Sequence, residues 1–306
     1  MASSQEPAFQ TRTGANRLSP GIHAFSANGI TFTYHVTGTG PLLVNQTVGW
    51  GIGPSYTLNG WHALEEHFTI LTFIPRGTAP STRPAKDEDM STLTMSHDLE
   101  ALRTHIGAEK MNLAGHSNAG AIVLYYAQRY PERVDKLVLI DHGLKGYTDR
   151  ATMQKFIDAG KADPKRTPSL EVFLGIVTGK VQPKTDEEFG SYLRRLVPYY
   201  MADVEKARIL LEAMTELPCA YALAQGKADA GAASPSHLRD FDKVTAKTLV
   251  ISGMQDPVCP STHGRLTAEG VQGARFLEYE DCGHFPWVEK PERFFGDVVR
   301  FLKAEV

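Results

Sequence analysis

The stretch "MNLAGHSNAGAIVLYYAQRYPERVDKLVLIDHG", residues 111–143, decides how the rest of the chain is read. It opens with a short apolar run, passes through small residues around Ser117 and continues in a helix-like run. "KMNLAG" reads as a strand, "AIVLYYAQRY" as a helix and "DKLVLID" (135–141) as a second strand. In such a unit the turn lies at the carboxyl edge of a parallel sheet, where open α/β sheets carry their ligand sites. A serine at its tip is exposed and strained, with its amide end toward a helix N-terminus. Gly115 and Ala119, two residues to either side, are small enough for strand and helix to close up, and Gly120 adds room. The spacing is G-x-S-x-A, with alanine where a second glycine is usual. A serine at this point could equally cap a helix. Its chemistry therefore has to be argued from partners elsewhere in the chain.

Strands and helices alternate on both sides of this stretch. "ITFTYHVTG" (30–38), "PLLVNQT" (41–47) and "FTILTFIP" (68–75) read as strands, with a helix around Trp61–His67. "TLTMSHDLEALRTHIG" (92–107) reads as an amphipathic helix, because Leu93, Met95, Leu99, Leu102 and Ile106 recur at helical spacing. The rhythm stops after Asp141. Residues 145–242 suggest helices only, around 152–159, 170–177, 186–197, 202–214 and 221–226. Alternation resumes with "KTLVISG" (247–253), "ARFLEYED" (274–281) and a final helix over 291–305. The expectation is an α/β fold with a mostly parallel sheet and helices on both faces. Residues 22–144 and 243–306 would form its core, 145–242 an inserted helical lid, and 1–21 a tail.

A chain of 306 residues can bury a core of this size. Its net charge of −3, with neither sign dominant, leaves no footprint for nucleic acid or an anionic membrane. No apolar run approaches bilayer length, and the N-terminal stretch lacks a signal-peptide core. Cys219, Cys259 and Cys282 form no CxxC pair, so reduced thiols and a cytoplasmic location are expected. HExxH spacing and a glycine-rich phosphate loop are both missing, so neither metal nor cofactor is expected and the partner is a small-molecule substrate.

A serine hydroxyl is a weak nucleophile until a base takes its proton, and that base must be oriented by a third group. After "KTLVISG" comes "MQDPVCP", which brings Asp256 to the same sheet edge as Ser117. After "ARFLEYED" comes "CGHFPWVEKPERF", with His284 in the loop before the last helix. Ser117, Asp256 and His284 thus follow the chain order this arrangement requires. Asp141 ends its own strand at that edge and competes for the role of acid. His116 flanks the serine as a packed neighbour, and His142 could line the site.

At this point the sequence resembles the α/β-hydrolase superfamily, over residues 22–305 and closest to its lidded proline iminopeptidase-like and esterase-like branch. The resemblance rests on "GHSNAG", "SGMQDPV", "CGHFPW", "YPERVDKLVLID" and "PRGTAPSTRP" (75–84). It implies a triad of Ser117, His284 and Asp256, no cofactor, and an oxyanion hole of backbone amides. Gln46-Thr47 stands where those enzymes carry His-Gly, so the resemblance assigns the Val48 and Asn118 N–H groups, with Gly49 as the neighbouring donor. Ile74 replaces a usual aspartate after the fourth strand. Gly49, Trp50, His116, Tyr199, Tyr200, Phe285 and Trp287 are the expected pocket residues, with Phe156, Phe173, Leu174, Tyr192 and Met201 as further lid aromatics and apolars. They favour an apolar ester or lactone. A proline-type aminopeptidase would need lid carboxylates, and Glu187, Glu188, Asp203, Glu205, Glu212 and Glu216 are available. A carbon–carbon bond hydrolase and a non-catalytic receptor are the remaining alternatives.

Overall fold

Eight strands form one sheet in a computed structural model that describes residues 16–232 and 234–304. The strands are β1 (Gly21–Ala27), β2 (Ile30–Gly38), β3 (Leu42–Gln46), β4 (Thr69–Ile74), β5 (Met111–His116), β6 (Val134–Ile140), β7 (Lys247–Gly253) and β8 (Arg275–Tyr279). Their order is β1-β2-β4-β3-β5-β6-β7-β8. β2 runs antiparallel to both neighbours, and every pair from β4–β3 to β7–β8 is parallel. The central strands are buried on both faces, as a sheet covered by helices on each side demands.

The helices are α1 (Ser55–Leu58), α2 (His62–Glu65), α3 (Thr92–Ile106), α4 (Asn118–Arg129), α5 (Arg150–Ala162), α6 (Thr167–Val177), α7 (Asp186–Leu196), α8 (Ala207–Ala213), α9 (Ala224–Gly231), α10 (Ser261–Gly270), α11 (Pro286–Glu289) and α12 (Pro291–Lys303). α3 buries Met95, Leu99 and Leu102 at i, i+4 and i+7. Ser91 caps its first turn by accepting from the Thr94 N–H, and Gly107 ends it at φ 73°. α12 buries Phe294, Val298 and Leu302 on one stripe. α4 is buried along almost its whole length, from Asn118 to Gln128.

Three expectations need correction. The strand "GIHAFSA" (21–27) pairs with β2, so the sheet begins at Gly21 rather than after a tail to residue 21. Of that tail, residues 1–15 lie outside the described residues, while the Arg17 carbonyl accepts from the Tyr34 hydroxyl at 2.9 Å. The helix expected over 202–214 is a 3-10 turn followed by the short α8, and the one over 221–226 shifts to α9. α10 was not expected, because "STHGRLTAEG" carries no apolar stripe and buries only His263, Gly264 and Thr267.

Between β6 and β7 the described residues contain helices and turns only. α6 and α7 hold a small core of their own around Leu170, Phe173, Phe189, Leu193 and Tyr199. Among the described residues no helix is long and apolar enough to cross a membrane.

Parallel register is what assembles the site. Gln46 pairs with Gly115, His116 with Ile140, Ile140 with Ile251, and Gly253 with Tyr279. The loops after β3, β5, β6, β7 and β8 therefore leave the sheet at one edge. Close approach of α4 to the loop after β6 is one tight requirement there. A Cβ on Gly120 would overlap the His142 side chain. Gly120→Ala is expected to destabilise the fold by about 1–3 kcal/mol, read as a lower urea midpoint at unchanged slope.

Candidate active site

Ser117 sits between β5 and α4 with φ 57° and ψ −126°, a backbone state that costs of order 1–3 kcal/mol for a residue with a side chain. Neighbouring backbone holds it there. Its N–H donates to the Ile140 carbonyl at 2.9 Å, and its own carbonyl accepts from Gly143 N–H at 2.9 Å and Gly120 N–H at 3.1 Å. A Cβ on Gly115 would stand 2.6 Å from the Ala119 carbonyl oxygen, which is why that position takes glycine. The Ala119 side chain is fully buried and fits.

His284 Nδ1 donates to Asp256 Oδ2 at 2.6 Å, with both side chains withdrawn from water. The other oxygen, Asp256 Oδ1, accepts from the N–H groups of Val258 (2.8 Å) and Cys259 (3.0 Å). Both carboxylate oxygens are thus hydrogen-bonded. The competing acid, Asp141, instead accepts from Gly253 N–H at 2.7 Å and lies beside Asp256. Burial, then the charge of Asp256, pushes the Asp141 carboxyl well above its ordinary range.

Ser117 and His284 line the same cavity. Among the described contacts His284 bonds Asp256, whereas the Ser117 hydroxyl meets the Cys259 thiol, whose pKa burial pushes up. Asp256, Cys259 and His284 offer a carboxylate oxygen, a sulfur and a ring nitrogen within 4.8 Å of one another, a donor set that suits zinc. Filling it would require breaking the His284–Asp256 bond and deprotonating a thiol that burial keeps neutral.

The loop after β3 brings Val48 to the cavity wall next to Asn118. Gly49, Trp50 and Gly51 run in sequence at φ 75°, 52° and 73°. A side chain at Gly51 would overlap the Cys219 carbonyl. The Asn118 side chain donates from Nδ2 to the Val48 carbonyl at 2.9 Å, tying the two segments together.

The cavity measures about 330 Å³ and runs from Ser117 up into the helical segment. Trp50, His116, Tyr200 and Phe285 line it as expected from the sequence, and Phe173 joins them. Gly49, Tyr199 and Trp287 do not. Gly49 packs under the Gln225 side chain, Tyr199 turns toward Phe173, and Trp287 packs edge-on against His116 and Trp61 in the core. Ile52, Tyr56, Cys259 and the α7 residues Phe189 and Leu193 also line the wall, and nothing in the linear pattern singles them out. The lid acids point elsewhere: Glu205 pairs with Lys165, Glu212 with Arg208, and Glu216 accepts from Ser55 N–H.

The sequence profile of the α/β hydrolase fold matches residues 55–291. The chain belongs to the α/β-hydrolase fold family. Within this family it is 32% identical over 295 residues to RutD of a Caulobacter species, named for carbamate hydrolysis, covering 89% of this chain and 96% of that one. It is 24% identical to the 2-hydroxy-6-oxo-6-phenylhexa-2,4-dienoate hydrolase of Comamonas testosteroni, over 71% of each chain. The enol-lactonase of Burkholderia xenovorans has the same fold, with a TM-score of 0.65 at 18% identity over 92% of this chain and 100% of that one.

Several histidines near the elbow of this α/β hydrolase are buried and held neutral. His142 donates to or accepts from Thr267 Oγ1 at 2.8 Å, and burial, with a smaller effect of His263, lowers its pKa from 6.5 to about 3. Burial also lowers His116 and His237 well below the usual range. The unfolded chain takes up these protons from pH 6.5 downward while the folded one does not, so stability falls as pH drops from 6.5 toward 3. His142→Gln removes one such group. Between pH 7 and pH 5 it should lose roughly 2 kcal/mol less stability than the native protein. Urea unfolding at the two pH values checks this, and equal losses would refute it.

Proposed function

We propose that the chain is a serine hydrolase acting on an ester or lactone of a neutral, apolar small molecule. The cavity carries this reading. Ser117, Asn118 and His284 share its wall with Phe173, Phe189, Leu193, Leu196 and Val197, and among the described residues the wall holds no Lys, Arg, Asp or Glu. A volume near 330 Å³ suits a small ligand.

In this reading Ser117 attacks the acyl carbonyl while His284 Nε2 takes its proton. Asp256 holds the Nδ1–H tautomer and stabilises the imidazolium. The Val48 and Asn118 amides receive the oxyanion, each donor contributing about 2.7–4 kcal/mol to the transition state. His284 then protonates the departing alkoxide, and water cleaves the acyl-enzyme by the same steps in reverse roles. The helical segment 145–242 serves as a lid that keeps bulk water from the acyl-enzyme.

The absence of charge on the described wall weighs against the two enzymatic alternatives. An aminopeptidase must pair a substrate ammonium with a carboxylate. A dienoate is an anion, and its burial without a cation is costly. A non-catalytic receptor would not need a strained serine beside a bonded His–Asp pair.

A fluorophosphonate probe followed by peptide mapping is expected to label Ser117. Ser117→Ala should lower turnover of 4-nitrophenyl butyrate by roughly 10⁴-fold or more. Near-native turnover in that variant would refute the assignment. On a panel of neutral esters, lactones, a hexadienoate and aminoacyl naphthylamides, the neutral acyl compounds should lead by at least about tenfold in kcat/KM. Preference for the dienoate would transfer the reading to carbon–carbon cleavage.

A further inference from the structure

Gln225, on α9, lies far from Ser117 in sequence and is fully buried. Its Oε1 accepts from the Trp50 N–H at 3.0 Å, and its Nε2 donates to Thr92 Oγ1 at 3.1 Å. Thr92 Oγ1 also lies 3.2 Å from Asn118 Oδ1. Asn118 Nδ2 donates to the Val48 carbonyl, two residues before Trp50. The five residues therefore close a ring: Gln225, Trp50, Val48, Asn118, Thr92 and back to Gln225. Each amide orientation in it is fixed, because Asn118 must present NH₂ to one carbonyl and Gln225 must present oxygen to one N–H. Asp229, one turn further along α9, anchors the ring from outside. It accepts from Thr92 N–H at 2.6 Å and from Lys145 Nζ at 2.8 Å, and at 2.7 Å it shares the one Thr92 hydroxyl proton with Asn118 Oδ1.

Two members of this ring, Val48 and Asn118, are the residues whose amides would receive the oxyanion. We infer that Gln225 is a positioning residue that sets the spacing of these two donors, so that the helical segment tunes the chemistry through α9 as well as enclosing the substrate. This rests on the reading of Val48 and Asn118 as the oxyanion hole. The loop needs such a support. Gly49, Trp50 and Gly51 all lie at positive φ, and Trp50 is not a glycine. The Gln225 oxygen would stand 2.8 Å from a Cβ on Gly49, so it packs directly on the strained turn. Losing the contact leaves the half-buried Trp50 N–H without its acceptor and frees the loop to relax. A shift on the order of 1 Å in a group that must meet the transition state is enough to lose roughly 10²-fold in rate.

The test compares native protein, Gln225→Leu and Thr92→Val, which opens the ring at a different member. Three quantities are read: kcat and KM for 4-nitrophenyl butyrate, the inhibition constant of an aliphatic trifluoromethyl ketone, and that of the matching alcohol. The ketone forms a tetrahedral adduct that needs the oxyanion donors, whereas the alcohol needs only the apolar wall. Both variants should lose about 10- to 100-fold in kcat with KM within twofold. The ketone should weaken by the same factor as kcat/KM, and the alcohol should be unchanged. A merely structural role would weaken ketone and alcohol together, and that result, or native kcat in both variants, overturns the inference. If the native protein is labelled at Ser117 and hydrolyses the ester, such an outcome fails the ring alone. If the native protein does neither, the reading of the site fails first and the inference with it.

Discussion

The geometry of the site hangs on one backbone conformation. Ser117 is held at φ 57° because its N–H is taken by β6 and its carbonyl by Gly143 and Gly120. Relaxing it would break those bonds, and the burial of α4 leaves no room for the helix to start elsewhere. Gly115, Ala119 and Gly120 are small for this reason. The strain is sustained by the surrounding packing, as is expected where a backbone outlier marks a functional position.

Around that fixed point two carboxyl groups are kept apart in role by their partners. Asp256 has two backbone N–H groups and His284 to support a charge, whereas Asp141 has the Gly253 N–H and an unfavourable neighbour in Asp256. Burial and the charge of its neighbour push the Asp141 carboxyl up, so the two adjacent carboxyls stand in different surroundings. The chain places both at the ends of neighbouring strands, and only the hydrogen bonds distinguish them.

That distinction marks the limit of what the linear pattern reveals. That Ser117, Asp256 and His284 gather at one edge was legible because each follows a β-branched or apolar run, and parallel strands bring such ends together. Asp141 met the same criterion equally well, so its different state could not be read. The strand at 21–27 was missed because its burial is patchy at a sheet edge, and α10 because it packs through His263, Gly264 and Thr267 rather than through an apolar stripe. Pocket walls were the least legible feature. Trp287 and Tyr199 looked like pocket aromatics by proximity in sequence, but each side chain takes the side of its element that faces packed core. Gln225 gave no signal at all, since an isolated glutamine acquires meaning only from the two segments it bridges.

The backbone bond from His284 N–H to the Tyr200 carbonyl, at 2.8 Å, bears on traffic through the molecule. The helical segment is moored to the hydrolase core at this point, at Asp203 through Glu289, and at Cys219 through the Gly51 carbonyl. Swinging the whole segment aside as a rigid flap would tear the histidine loop from its anchor each time. Val177, at the end of α6, is the cavity residue left open to water, with 59% of its surface exposed. The rim at Val177 is thus where the cavity wall lies most open to water.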